Sequence, residues 1–153
     1  MKVKIDKTDC RIIELLQEDG RMPNTMIAKK LGISEATVRS RLNRLTKEEY
    51  IQIVAVSNPL KLGFDIVGML KIDVDIKKID AVSKELIKID QIWYIVHATG
   101  SSEIYAEFNA KSISDLNDFI TQKVNKIDGL LKTETSLVLK YIKRRYDWKT
   151  AIE

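Results

Sequence analysis

Residues 24 to 47, NTMIAKKLGISEATVRSRLNRLTK, constrain the fold more than any other part of the chain. They read as two short helices joined by a tight turn. Asn24 is placed to cap the first helix, and Ile27, Ala28 and Leu31 are its inward positions. Gly32 supplies the positive φ that a sharp helix exit favours. Ile33 closes the turn over the core and Ser34 is the expected N-cap of the next helix. There Val38, Leu42 and Leu45 recur at i, i+4 and i+7 and make one buried stripe. A small residue, Ala28, stands where the two helices must cross. Ala36, Arg39, Ser40, Asn43, Arg44 and Lys47 are left on the outward side. This is the layout of a helix-turn-helix that sets its second helix into the major groove of DNA.

Charge follows the same division. From Arg21 to Lys47 there are seven Lys or Arg residues against one acid, Glu35, although the whole chain carries only +4. A basic excess confined to one motif is what a phosphate-facing surface requires. Arg39 and Asn43 lie one helical turn apart and suit base edges, since Arg addresses guanine and Asn adenine in the major groove. Glu35 and Ser40 are secondary base-edge candidates, and Ser34 and Ala36 complete the candidate DNA-binding set. Arg21, Lys29, Lys30, Arg44 and Lys47 are the expected phosphate contacts, which fix register without reading sequence. Arg41 falls nearer the core side and is expected to reach a carboxylate of the first helix, such as Glu14 or Glu18.

At 153 residues the chain has room for one domain or two small ones, and 44% hydrophobic content is enough for real cores. No apolar run approaches the roughly 20 residues of a membrane helix. The start, MKVKIDKTD, lacks a signal peptide's apolar segment, so a cytoplasmic location and no membrane partner are expected. With one cysteine, Cys10, and one histidine, His97, neither a disulfide nor a metal site is expected, and no catalytic residues are assigned. The basic and aromatic run KYIKRRYDW could touch nucleic acid, but reads more simply as a solvated final strand.

A helix over Lys7 to Glu18 precedes the motif, with Asp6 as cap, Asp9 three residues on, and Gly20 ending it. After Tyr50 the pattern changes. IQIVAVS (51–57) is β-rich, and Asn58-Pro59 with Gly63 marks a hinge. From Ile66 the period is two, with Ile66, Gly68, Leu70, Ile72 and Val74 on one face. A helix on Ile79, Val82, Leu86 and Ile89 follows, then strands over 91–98 and from Glu103 to Phe108. A second helix on Leu116, Phe119, Ile120, Val124 and Ile127 leads to a last strand from Leu131 to Ile142. The fold class is α+β: a three-helix domain over 1–50, a linking strand and hinge over 51–64, and a βαββαβ ferredoxin-like domain over 65–153. Tyr94, Val96, Val138 and Ile142 should point away from the helices. That apolar face calls for a second copy of the chain to cover it.

A second candidate site joins two of these strands. In Thr99-Gly100-Ser101-Ser102-Glu103 a Gly-Ser turn exposes backbone N–H groups able to hold a carboxylate, and Glu103 offers the charge for an ammonium. Thr133, Glu134 and Thr135, on what reads as the neighbouring strand, could complete a polar cradle across a dimer interface. The same Gly-Ser-Ser also makes an ordinary hairpin turn. His97 lies beside the loop, either as a pH-sensitive group or as a packed strand residue.

Four segments in this order resemble the Lrp/AsnC, or feast/famine, regulators: IDKTDCRIIELLQEDGRM, IAKKLGISEATVRSRLNRL, SNPLKLG and ATGSSEIYAEF. The resemblance covers essentially the whole chain. It implies a RAM-type effector domain and a transcription regulator that dimerises through its sheets, often assembling to octamers. It also implies an amino-acid effector bound between dimers, with no other cofactor. Two positions depart from the family. Lys47-Glu48-Glu49-Tyr50 stands where relatives usually have Gly before the linking strand, and the effector loop ends in Glu103 where they commonly have Asp. The expected function is sequence-specific regulation on double-stranded, roughly palindromic DNA. The rivals are a nonspecific DNA-wrapping protein and an enzyme of the kind some haem-pathway relatives represent. One histidine and a short polar loop argue against the enzyme.

Overall fold

The computed structural model describes residues 5–100 and 103–151. The chain divides into two compact units, Met1–Val56 with Ile142–Glu153, and Ser57–Tyr141.

The first unit holds α1 (Lys7–Glu18), α2 (Asn24–Leu31) and α3 (Glu35–Lys47). A reciprocal capping box starts α1. The Asp6 carboxylate accepts the Asp9 N–H at 2.9 Å, and the Asp9 carboxylate accepts the Asp6 N–H at 3.0 Å. The helix stops at Glu18, with Asp19 rather than Gly20 as its C-cap. Asn24 does not cap α2: it is the first helical residue, behind Pro23, whose fixed φ of −62° presets the entry without a side-chain bond. Gly32 ends α2 at φ 67°, and Ser34 caps α3 by accepting the Thr37 N–H at 3.1 Å. Ile12, Ile27, Val38 and Leu45 are fully buried in the shared core, while Leu42, expected in the buried stripe, is only half-buried. Each such burial contributes about 1.5–3 kcal/mol.

The end of α3 answers how the chain manages without the glycine. Glu49 takes the left-handed conformation, φ 60°. The Tyr50 N–H donates to the Leu45 carbonyl at 2.9 Å and the Glu49 N–H to Thr46 at 3.2 Å, the two bonds of a Schellman stop. A side chain in that conformation costs about 1–2 kcal/mol.

The linking strand expected at 51–57 is not a strand. No described strand runs beside it, so its N–H and C=O groups have no ladder to join. Asn58 then caps a 3₁₀ turn, Pro59–Lys61.

The second unit is built on β1 (Ile66–Val74), α4 (Ile79–Ile87), β2 (Ile92–His97), β3 (Ile104–Ala110), α5 (Ile113–Asp118) and β4 (Leu130–Leu137). The sheet order is β2-β3-β1-β4 with every neighbour antiparallel, the expected βαββαβ topology. Leu70, Ile72, Ile104 and Phe108 share one face with Val82, Leu86, Phe119 and Val124. Gly68 is required by packing. A Cβ there would penetrate the ring of its cross-strand partner Phe108 and come within 2.8 Å of the Ser136 carbonyl oxygen.

Three expectations change here. The second helix ends at Asp118, followed by a π turn, Phe119–Lys123, and a 3₁₀ turn, Val124–Lys126. Widening the turn brings Phe119 and Val124, five residues apart and both fully buried, onto one face. The last strand ends at Leu137, opposite Gly68, and beyond it the Val138 N–H makes one further bond to the Val67 carbonyl at 2.8 Å. Ile142 accordingly lies outside the sheet and is exposed. The residues from Ile142 on, expected in the effector domain, cluster with the first unit, where the Lys149 N–H donates to the Gln17 side chain at 2.9 Å.

Replacing Glu49 by Gly should remove the left-handed strain and stabilise the helical unit by about 1 kcal/mol, read as a raised urea midpoint at unchanged slope.

Candidate nucleic-acid interface and effector site

The outward face of α3 is what its buried stripe leaves over. Ala36, Arg39, Ser40 and Asn43 are all exposed there. Arg39 donates to Glu35 one turn earlier at 2.5 Å, an exposed i,i+4 pair worth only about 0.3–0.5 kcal/mol and easily exchanged for a base edge. Ser34 spends its hydroxyl on the cap and on a 2.8 Å bond with the Thr37 hydroxyl. Arg21, Lys29, Lys30 and Lys47 are exposed as well.

Arg44 differs from the expected phosphate contact. Its Nη2 donates to the Asp9 carboxylate at 2.5 Å, and its other terminal nitrogen lies 3.9 Å from Glu48. Arg41 turns inward as expected, but to Asp6 at 2.7 Å and Asp9 at 2.9 Å rather than to Glu14 or Glu18. Glu14 is taken by Arg11 at 2.7 Å. Asp9 is only 1% exposed. Burial opposes its ionisation, but the Asp6 N–H and the guanidiniums of Arg44 and Arg41 outweigh it and hold its carboxyl below the usual range. The Asp9 N–H and Arg41 lower Asp6 likewise. Sequence reasoning took Asp9 only as a cap; the missed signal was Arg41 and Arg44 three residues apart on α3.

The effector loop presents a different picture. Ser101 and Ser102 lie outside the described residues. Thr99, Gly100 and His97 are exposed, His97 at the end of β2 opposite Ile104. Glu103 is half-buried: its carbonyl accepts the Ala98 N–H at 2.9 Å and its carboxylate accepts the Val74 N–H of β1 at 3.2 Å. The β4 residues are not neighbours of this loop. Strand β1 separates β3 from β4, two strand spacings or about 10 Å. Thr133 and Thr135 pair with the core-facing Ile72 and Leu70, so they share the helix side, and Thr133 donates to Asn125 at 3.4 Å. Glu134 faces the other way and pairs with Lys132 at 2.5 Å, which lowers its pKa. Within one chain the expected cradle is therefore not assembled. A carboxylate the sequence did not single out lies nearer: Asp73, next to Val74, whose buried Oδ1 has no hydrogen-bond partner among the described residues. A cleft of about 330 Å³ elsewhere in this unit, with Phe64, Trp93, Asn109 and Lys123 in its lining, contains none of the loop residues.

Known proteins match both halves. Residues 5–46 fit the AsnC-type helix-turn-helix domain, and residues 68–148 the Lrp/AsnC ligand binding domain. The chain belongs to the Lrp/AsnC family. An HTH-type transcriptional regulator of Pyrococcus horikoshii is 39% identical over 138 residues, 90% of this chain and 87% of that one. The regulator LrpA of the same organism is 36% identical over 140 residues, 91% of this chain and 99% of its own. Among solved structures, AsnC of E. coli superposes with a TM-score of 0.82 at 25% identity, covering 94% of this chain and 98% of that one. A Neisseria meningitidis regulator in complex with L-Met shares the fold at TM-score 0.82 and 20% identity, covering 94% and 96%. The chain is thus a helix-turn-helix transcription regulator with a family ligand-binding domain. Among the described residues no helix is long and apolar enough to cross a membrane.

Because Asp6 and Asp9 ionise more readily folded than unfolded, their stabilisation is complete above the ordinary carboxylate value near pH 4 and is lost as pH falls through the lower folded values. Melting followed by circular dichroism should show stability falling below about pH 4. Asp9→Asn should flatten that fall.

Proposed function

We propose that this chain reads a specific DNA sequence through α3 and that an amino acid bound at the Gly100 loop changes its assembly or its DNA affinity. The observation that carries the first half is the pairing of Arg39 with Asn43 on a helix whose opposite face is buried. One turn apart, they can address adjacent base pairs as guanine and adenine readers. The ligand-binding domain match over residues 68–148, and the L-Met held by the Neisseria protein of the same fold, support the second half. No cofactor beyond the effector is invoked, and the protein acts as a cytoplasmic regulator, not an enzyme.

Assembly follows from the open sheet face. Met69 and Tyr94 are 44% and 48% exposed there, with Val96 half-buried beside them. A second copy would cover this face, and association of dimers towards an octamer would bring β4 residues of one chain near the loop of another. A two-fold dimer presents two reader helices, so the operator is a rough palindrome with half-sites about one helical turn, or a multiple, apart.

Arg39→Ala and Asn43→Ala should each lower the preference for a selected operator over random DNA by about 1–3 kcal/mol, measured by competition at fixed salt. Lys29→Ala should weaken both DNAs equally. An unchanged ratio in Arg39→Ala would favour a nonspecific wrapping protein.

For the effector, calorimetry with the amino acids in turn should find one that binds the wild type. Gly100 has open space where a Cβ would stand, but its φ of 143° is one that side chains rarely adopt. Gly100→Arg should therefore distort and fill the loop, abolishing binding while DNA binding persists. Binding by no amino acid, or equally by the variant, would place the effector elsewhere.

A further inference from the structure

A buried carboxylate joins the cap of α1 to the reader helix. Asp9 accepts the Asp6 N–H and Arg44 on Oδ2, and Arg41 on Oδ1, at 3.0, 2.5 and 2.9 Å. Arg41 and Arg44 are three residues apart on α3, so one side chain holds that helix at two points. The apolar stripe of Val38 and Leu45 holds α3 against the core, but apolar contacts are non-directional and tolerate a roll about the helix axis. The hydrogen bonds to Asp9 do not. With side-chain tips about 6 Å from the axis, a roll of about 20° would carry Arg39 and Asn43 about 2 Å, enough to miss a bidentate base edge.

The same contacts decide how much charge α3 offers to DNA. Two guanidiniums and two carboxylates cancel within the cluster. Of the seven cations between Arg21 and Lys47, Arg41 and Arg44 are thereby neutralised and Arg39 is engaged by Glu35. Phosphate contact then falls to Arg21, Lys29, Lys30 and Lys47.

We propose that Asp9 is a positioning residue for DNA reading: it sets the roll of α3 and withholds the Arg44 charge from the phosphates. The inference rests on α3 being the DNA reader. Asp9→Asn preserves the shape of the side chain and one acceptor, so the cap bond to the Asp6 N–H survives, but the charge that grips Arg44 is gone. Arg41 keeps its bond to Asp6.

The test is a salt series of anisotropy titrations on two duplexes, one of random sequence and one selected by the wild type from a randomised library. Each guanidinium released to a phosphate steepens the slope of log K against log salt by about 0.9. For Asp9→Asn the slope on random DNA should steepen by about 1, and preference for the selected duplex should fall about tenfold. Arg44→Gln, a change at a half-exposed position, should cost a similar preference with no change of slope. A change confined to folding stability would move neither slope nor preference in the folded protein. If Arg44→Gln instead flattens the slope by about 1, Arg44 is a direct phosphate contact and the proposal fails. It fails equally if Asp9→Asn leaves slope and preference at wild-type values, and Arg44→Gln decides alone should Asp9→Asn not fold. A wild type without salt-dependent DNA binding would instead sink the reading of α3.

Discussion

Both units depend on one constraint: each element must bury one face completely and keep the other usable. In α3 the buried face is Val38 and Leu45, and what remains outward is Arg39, Ser40 and Asn43. In the sheet, Leu70, Ile72, Ile104 and Phe108 face the helices and leave Met69 and Tyr94 on the open side. The periods of 3.6 and 2 that produce this division also place the functional side chains, so core and surface are specified together. A substitution that shifted either stripe would disturb packing and presentation at once.

Polar groups refine what apolar burial leaves loose. Hydrophobic contact brings α1 and α3 together, and the ion cluster on Asp9 adds direction. Such a cluster is a costly way to gain stability, because burying a carboxylate forfeits its hydration. What it adds is direction: three hydrogen bonds from Arg41 and Arg44 tie α3 to Asp6 and Asp9. The sheet unit offers a contrast. Asp73 has a buried oxygen without a described partner, and Glu103 turns its carboxylate to the backbone of β1.

Departures from the family's pattern are handled locally. Glu49 makes a left-handed turn of the kind glycine favours, held by the two bonds of a Schellman stop. The π turn after α5 similarly adapts backbone to core, bringing Phe119 and Val124 to one face where a continuing α-helix would separate them. In each case tertiary packing overrides local preference.

Most of the fold was legible in the chain itself, because periodicity and caps are local. The α1 limits, the Gly32 turn, the Ser34 cap and the order of strands and helices all follow from residues within a few positions of one another. The family followed too, from four segments in sequence order. What the chain could not disclose depends on contacts between distant positions. No described strand pairs with the segment expected as a strand at 51–57, the β4 ladder stops at Leu137 opposite Gly68, and the last residues cluster with the first unit. Thr133 and Thr135 alternate onto the helix side because register, set by pairing with β1, decides the face. Arg44 looked like a phosphate contact because its exposure can be read from helical spacing, whereas its partner lies 35 residues away on another helix. Spacing along the chain thus determined which faces exist; only the folded structure decided which charges on them are already paired.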